Sequence, residues 1–175
     1  NVTVYATCTR NSLTSSTAQK TCDIDLEKPV ISYSSDTGEG TITCSTANST
    51  VYYTTNNTDP KSGSTASGTI QFTHGMVVRA IAYKKGKWSS EATSVTISIN
   101  LNTPVISIST TSAAAGTGSA TITVADDSKK TITIEYSLDN STWSTYSTAI
   151  SVDYTKTVYA RATKLGRTTT ANKYA

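Results

Sequence analysis

The sequence predicts an all-β chain built from one repeated module, and three observations carry that expectation. Ser and Thr make up about a third of the 175 residues and Tyr and Val are frequent, whereas Phe and Met occur once each; β-branched and aromatic side chains suit pleated, half-buried strands. No stretch places apolar residues at the 3.6-residue period of an amphipathic helix. A strand-like segment, Val78-Arg79-Ala80-Ile81-Ala82-Tyr83, followed by the turn Lys84-Lys85-Gly86-Lys87, recurs as Val158-Tyr159-Ala160-Arg161-Ala162-Thr163 and as Val4-Tyr5-Ala6-Thr7-Cys8-Thr9.

Residues 1–28 come first. Aligning Val4 with Val78 also aligns Ser15 with Ser89, so this stretch is the last hairpin of a unit whose earlier strands are missing. A two-stranded hairpin is marginal alone in water, and the expected remedy is a longer repeat array or strand addition from a neighbouring subunit. Lys28-Pro29-Val30-Ile31-Ser32 then opens a full unit over 29–101, and Thr103-Pro104-Val105-Ile106-Ser107 opens another over 102–175. Proline suits the first residue of an edge strand, where no ladder donor is needed. Gly38-Glu39-Gly40 leads into Thr41-Ile42-Thr43-Cys44, as Gly116-Thr117-Gly118 leads toward Thr121-Ile122-Thr123-Val124. Alternation puts Ile42 with Cys44, and Ile122 with Val124, on one face.

Third strands follow at Thr50–Thr54 and Thr133–Ser137, then short strands at 68–72 and 149–152. The recurring strand comes next, with Val78, Ala80 and Ala82 on one face and Val158, Ala160 and Ala162 in the equivalent places. A last strand closes each unit. Six or seven short strands per unit, with turn signals between them, fit an immunoglobulin-like sandwich of the fibronectin III kind. The short linker Ile99–Pro104 favours a semi-rigid rod over beads on a flexible string.

Tyr52-Tyr53-Thr54-Thr55-Asn56-Asn57-Thr58-Asp59-Pro60, followed by Val78-Arg79-Ala80-Ile81-Ala82, resembles the immunoglobulin-like repeat named after the C-terminal domain of chitobiase and β-hexosaminidase. That repeat runs roughly Tyr-Thr-x-Asp-Gly-Ser-x-Pro, a hydrophobic strand, then Val-x-Ala-x-Ala. The first unit has Asn56-Asn57 in place of Asp-Gly. The second keeps Glu135-Tyr136-Ser137-Leu138-Asp139-Asn140-Ser141, lacks the proline and carries Trp143. The resemblance implies a module found in glycosidases, bacterial surface proteins and phage structural proteins; it speaks to fold more than to activity. The turn chemistry needs no ligand: Asn, Asp and Gly supply positive φ and side-chain hydrogen bonds to the backbone.

The net charge of +3 is mild and scattered, unlike the basic stripe of a nucleic-acid binder. No apolar run approaches the length of a membrane span, and any export signal would lie outside this sequence. No catalytic, cofactor or metal constellation emerges. His74 is a lone turn histidine; Asp36, Glu39 and Asp126-Asp127 sit in turns where carboxylates cap amides; Lys84, Lys85 and Lys87, like Lys129-Lys130, read as solvated turns. Cys44 reads as a small buried hydrophobe, and a Cys8–Cys22 bridge is a candidate, although alignment places Cys22 at Thr96 rather than at an apolar position. The aromatic candidates for stacking against glycans are Trp88, Trp143 and Tyr146; packing is the competing reading. The expected function is a non-enzymatic structural or adhesive segment of a stalk, filament or surface fibre. The alternatives are a carbohydrate-binding accessory module of a glycoside hydrolase and a phage decoration protein. The expected location is extracellular or cell-surface, or the virion surface. The expected partners are neighbouring modules or subunits, by strand complementation of residues 1–28, and cell-surface or mucus glycans.

Overall fold

The computed structural model describes residues 2–23, 25–89, 92–112 and 116–174. It is all-β, as the composition predicts, with one turn of 3-10 helix at Pro60–Ser62 among the described residues.

The N-terminal hairpin pairs β1 (Val2–Ala6) with β4 (Ala18–Cys22), and its tip pairs β2 (Thr9–Arg10) with β3 (Leu13–Thr14). The first sandwich comprises β5 (Val30–Tyr33), β6 (Glu39–Thr43), β7 (Thr50–Thr54), β8 (Ser64–Thr65), β9 (Ile70–Gln71), β10 (Val77–Lys84), β11 (Lys87–Trp88) and β12 (Thr93–Thr96). One sheet runs β5-β6-β9; the other runs β8-β7-β10, with β11 and β12 both on the far side of β10. The second sandwich repeats this order with β13 (Val105–Ser112), β14 (Thr117–Thr123), β15 (Thr133–Ser137), β16 (Ser144–Thr145), β17 (Ile150–Asp153), β18 (Thr157–Lys164) and β19 (Arg167–Tyr174), as sheets β13-β14-β17 and β16-β15-β18-β19. In a constant-type immunoglobulin domain the fourth strand extends the first sheet; here β8 and β16 pair instead with β7 and β15.

Alternation fixes which side chains face inward. Val78, Ala80, Ala82, Val158, Ala160 and Ala162 are all fully buried, as the period-2 pattern predicts. The first core gathers Val78 and Ala80 with Ile42, Val51, Phe72, Ile97 and Ile99; the second gathers Val158 and Ala160 with Ile106, Ala120, Ile122 and Val152. An edge-on aromatic pair closes each, Tyr33 on Phe72 and Tyr136 on Tyr146, both with centroids 6.5 Å apart.

The three copies of the recurring hairpin share their turn. Asn11-Ser12, Lys85-Gly86 and Leu165-Gly166 all have positive φ at both residues, the type I′ geometry whose twist matches that of the flanking strands. The first two copies also share an irregularity. Ser15 N–H donates to the Cys8 carbonyl (2.8 Å) while Cys8 N–H donates to Ser15 Oγ (3.0 Å); Ser89 and Ala82 make the same pair of bonds at 2.8 and 3.2 Å. The serine hydroxyl satisfies an amide that the ladder would otherwise strand. In the third copy the ladder runs unbroken from Thr157↔Tyr174 to Lys164↔Arg167.

Register corrects the placing of Cys22. It pairs with Val2, which aligns with Met76, and Met76 accepts from Ile97 N–H (2.8 Å). Cys22 therefore stands where Ile97 stands, not where Thr96 does. The shift arises because the first sandwich has one more residue between Ser89 and Ile97 than the hairpin has between Ser15 and Cys22. The Cys8–Cys22 bridge does not fit this hairpin: both thiols are free, and Cys8 lies six positions along the strand from Val2, roughly 20 Å at 3.3 Å per residue, well beyond the ~7 Å that a disulfide spans. Cys44 is half-buried rather than buried, and its thiol donates to the Glu27 carbonyl (3.3 Å).

Candidate functional site

The residues between the two sandwiches carry a dense set of polar contacts. The linker alternates in its allegiance. Asn100 ties back to the first sandwich: its N–H donates to the Ser35 carbonyl (2.8 Å) and its Nδ2 to Ser35 Oγ (2.8 Å) and Asp36 Oδ1 (2.9 Å). Asn102 ties forward: its Nδ2 donates to the Ala125 carbonyl (2.7 Å), and its own carbonyl accepts from Thr169 Oγ1 (3.0 Å). Leu101 between them is buried. A six-residue linker so tethered at both ends has lost the freedom of a coil.

The β18–β19 turn of the second sandwich reaches back to the first. Leu165 packs against the first core, and its carbonyl accepts from His74 N–H (2.8 Å). Its seat is made by Gly38, where an added Cβ would lie 2.9 Å from Leu165 Cδ1. Gly38 also has φ +69°, so the position requires glycine twice over. The His74 ring is held as well, its Nδ1 accepting from Ile99 N–H (3.1 Å). His74, a lone turn histidine in the sequence, is thus a half-buried junction residue. Lys130, expected on a solvated turn, instead crosses between sandwiches, its Nζ donating to Glu39 Oε1 (2.8 Å) and Gln71 Oε1 (3.0 Å).

Beside these contacts lies a cleft of about 570 Å3, with Ser34, Asp36, Asn100, Asp126, Lys164 and Arg167 among its walls. Lys164 takes the innermost position at the end of β18, only 1% exposed, and pairs there with Asp126, 8% exposed. Burial alone would push the Asp126 carboxyl up, but hydrogen bonds from Lys164 and Ser128 and the neighbouring ammonium charge together hold it below the ordinary value. Arg167 Nε is buried in this cleft with no partner. Asp36 accepts from Asn100 and Asp126 from Lys164 and Ser128, and among the described residues no group of three or more His, Cys, Asp or Glu is placed to hold a metal ion.

The aromatic candidates separate. Tyr146 is half-buried and packs against the second core: its OH accepts from the Ile122 N–H (3.1 Å) and its ring lies edge-on to Tyr136. Trp143 lies outside, with the Arg161 guanidinium 4.3 Å from its ring centroid; Arg161 is held in turn by Glu135 (2.6 Å), whose carboxyl it keeps below the usual range. One face of Trp143 is thus taken by a cation–π contact. Trp88 sits in a cluster with Tyr52 and Tyr83, centroids 5.4 and 4.7 Å away, and the rings meet at 63° and 52°. That is herringbone packing rather than a flat stacking platform. Sequence reasoning missed Tyr52 and Tyr83 as Trp88's partners; the signal was cross-strand register, since Tyr83 pairs with Trp88.

The motif turns are likewise structural. Asn57 and Asn140 take positive φ. Asp59 caps the Pro60–Ser62 turn through Lys61 N–H (3.0 Å). Asp139 accepts from the amides of Thr142 and Ser141 (both 2.8 Å) and from Ser137 Oγ, and these donors drive its carboxyl far below the usual range. Of the basic residues, Lys84 Nζ donates to the Ala47 carbonyl (2.5 Å) and Lys87 pairs with Asp23 (2.6 Å).

The fold defines a class at the level of architecture: two all-β sandwiches, of eight and seven strands among the described residues, joined by a six-residue linker. Residues 41–97, which take in β7 to β12, match the family model described as Fn3 associated. The match supports a fibronectin III-associated domain in the first sandwich; the chitobiase and β-hexosaminidase type expected from the motif is a finer assignment than it makes. No curated protein matches the chain.

Proposed function

We propose that this chain is a non-catalytic spacer: a run of immunoglobulin-like modules forming part of a stalk, filament or surface fibre at an extracellular, cell or virion surface. The observation that carries the reading is the junction. A flexible tether needs none of these contacts, whereas a rod needs each module held to the next. Here the Leu165 turn enters a seat on the first sandwich, the linker asparagines bind in both directions, and Lys130 bridges the outer edge. The low charged fraction and the Ser- and Thr-rich outward strand positions suit such a spacer. The carbohydrate-binding reading stands second, because each of its three aromatic candidates is engaged by protein groups.

The double variant Leu165→Asp, Lys130→Ala tests this. Asp tolerates the left-handed turn that Leu165 occupies but removes the apolar plug, and Lys130→Ala removes an exposed ion pair of about 0–1 kcal/mol. With spin labels on the outward strand positions Thr41 and Thr121, the parent is expected to give one narrow inter-module distance distribution and the variant a broad one. A broad distribution already present in the parent would sink the spacer reading.

A further inference from the structure

We propose that the N-terminal hairpin is half of a third sandwich, and that the face carrying Val4, Ala6, Cys8, Ala18 and Cys22 is a docking surface for a polypeptide segment bearing strands A to E of this same repeat. Strands A to E are the equivalents of β5 to β9. This deepens the spacer reading, because it extends the stack by one module.

The equivalence rests on pairings rather than on a short motif. Val4 faces Lys20 and Ala6 faces Ala18 across the hairpin; Val158 faces Lys173 and Ala160 faces Ala171 across β18 and β19. The type I′ turn is shared with both complete sandwiches, and the serine-bonded irregularity with the first. The linker is shared too. From Cys22 the chain reaches a buried Leu26, a buried Pro29 and strand residue Val30; from Ile97, at identical steps, it reaches a buried Leu101, a buried Pro104 and strand residue Val105. Lys87 pairs with Asp23 at the first of these junctions, from the turn position that Arg167 occupies at the second.

What the hairpin lacks is a cover. In both complete sandwiches the equivalents of Val4, Ala6 and Cys8 are fully buried, because the third strand pairs along the free edge and the opposite sheet lies over the face. In the hairpin Val4 is 54% exposed, and Cys8 and Cys22 are exposed where Ala82 and Ile97 are buried. The side chains keep an inward pattern on a face that no described residue covers, and the likeness of that pattern to the inward faces of β10–β12 and β18–β19 points to strands A to E as its complement. A lysine on the face is no obstacle, since Lys173 holds the same position in a complete sandwich and remains exposed.

The test places residues 26–74 of this chain ahead of Asn1, so that Asn1 follows as Gly75 follows His74 in the first sandwich. The readouts are thiol labelling and backbone amide exchange on the full chain, with and without this addition. Cys8 and Cys22 are expected to label at least tenfold more slowly in the extended chain while Cys44 is unchanged, and β1 amides to exchange at least a hundredfold more slowly. Cys8→Ala in the extended chain relieves any crowding at the Ala82 position and leaves Cys22 as reporter. Ala6→Lys, harmless on the exposed hairpin, is expected to abolish the protection. Unchanged labelling in both the extended chain and its Cys8→Ala form would overturn the proposal, as would burial of the hairpin face by a second copy of the parent chain. Neither result touches the inter-module distance, so a failure here is distinct from a failure of the spacer reading.

Discussion

Phe72→Ala is expected to destabilise the first sandwich by about 3–5 kcal/mol, the range for emptying a fully buried aromatic site. Phe72 is wholly buried at the centre of the first core, with Tyr33 edge-on and Gly40 forming the floor beneath it. A Cβ on Gly40 would come within 2.7 Å of the Phe72 ring, and a carbonyl of the neighbouring strand closes the same space, so the backbone cannot collapse inward to fill a vacated site. Urea unfolding followed by Trp88 fluorescence, in a Trp143→Phe background, measures the loss. The outward strand substitution Thr41→Ala serves as a control, expected within about 0.5 kcal/mol of the parent. A cost below about 1 kcal/mol for Phe72→Ala would mean that this ring is not the centre of the core.

Asp126→Ala is expected to cost the second sandwich about 3–5 kcal/mol, because it strands the Lys164 ammonium in a buried position. The loss comes from the charge left behind, so adding Lys164→Met should restore most of the stability, whereas a simple packing defect would deepen. Trp143 fluorescence in a Trp88→Phe background reads this sandwich alone. The pH dependence follows from the same pair. The folded Asp126 carboxyl lies below its unfolded value, so its contribution is present above about pH 4 and is lost as pH falls through the folded value. Asp139 has the same sign, through the amides of Thr142 and Ser141. The urea midpoint of the second sandwich should therefore hold steady from pH 7 to 5 and fall below pH 4, with a shallower fall in Asp126→Ala. A midpoint that falls between pH 7 and 5 would place the controlling group elsewhere.

The parts of the fold that repeat were open to sequence reasoning. Val78, Ala80 and Ala82 declared themselves because alternation is local and the pattern occurs three times. Tyr146 did not, because its role depends on volume shared between distant positions. Its N–H bonds the Ile134 carbonyl as the Ala66 N–H bonds Val51, so Tyr146 stands where Ala66 does, and Val152 correspondingly replaces Phe72. The two cores reach similar fillings by placing the large ring on opposite sides, an exchange that no window of sequence contains. The junction was hidden for a related reason. Leu165, His74 and Lys130 are unremarkable in their own turns and acquire a role only when one sandwich meets the other. Cys22 was misplaced by a single inserted residue, which in a strand moves a side chain to the other face.

The ladders of the two sandwiches differ in a way that matters when the chain is pulled from its ends. Tension enters each module through its first and last strands. Among the described residues, β5 makes four register pairs in the first sandwich and the last strand six, four in β12 and two in β11; in the second, β13 makes seven and β19 eight. Fewer bonds must be sheared to open the first module, and rupture under force follows the unfolding rate rather than the equilibrium. In single-molecule stretching the extension of residues 29–101 should therefore precede that of 102–175, making the first module the mechanical fuse that yields while the second still holds.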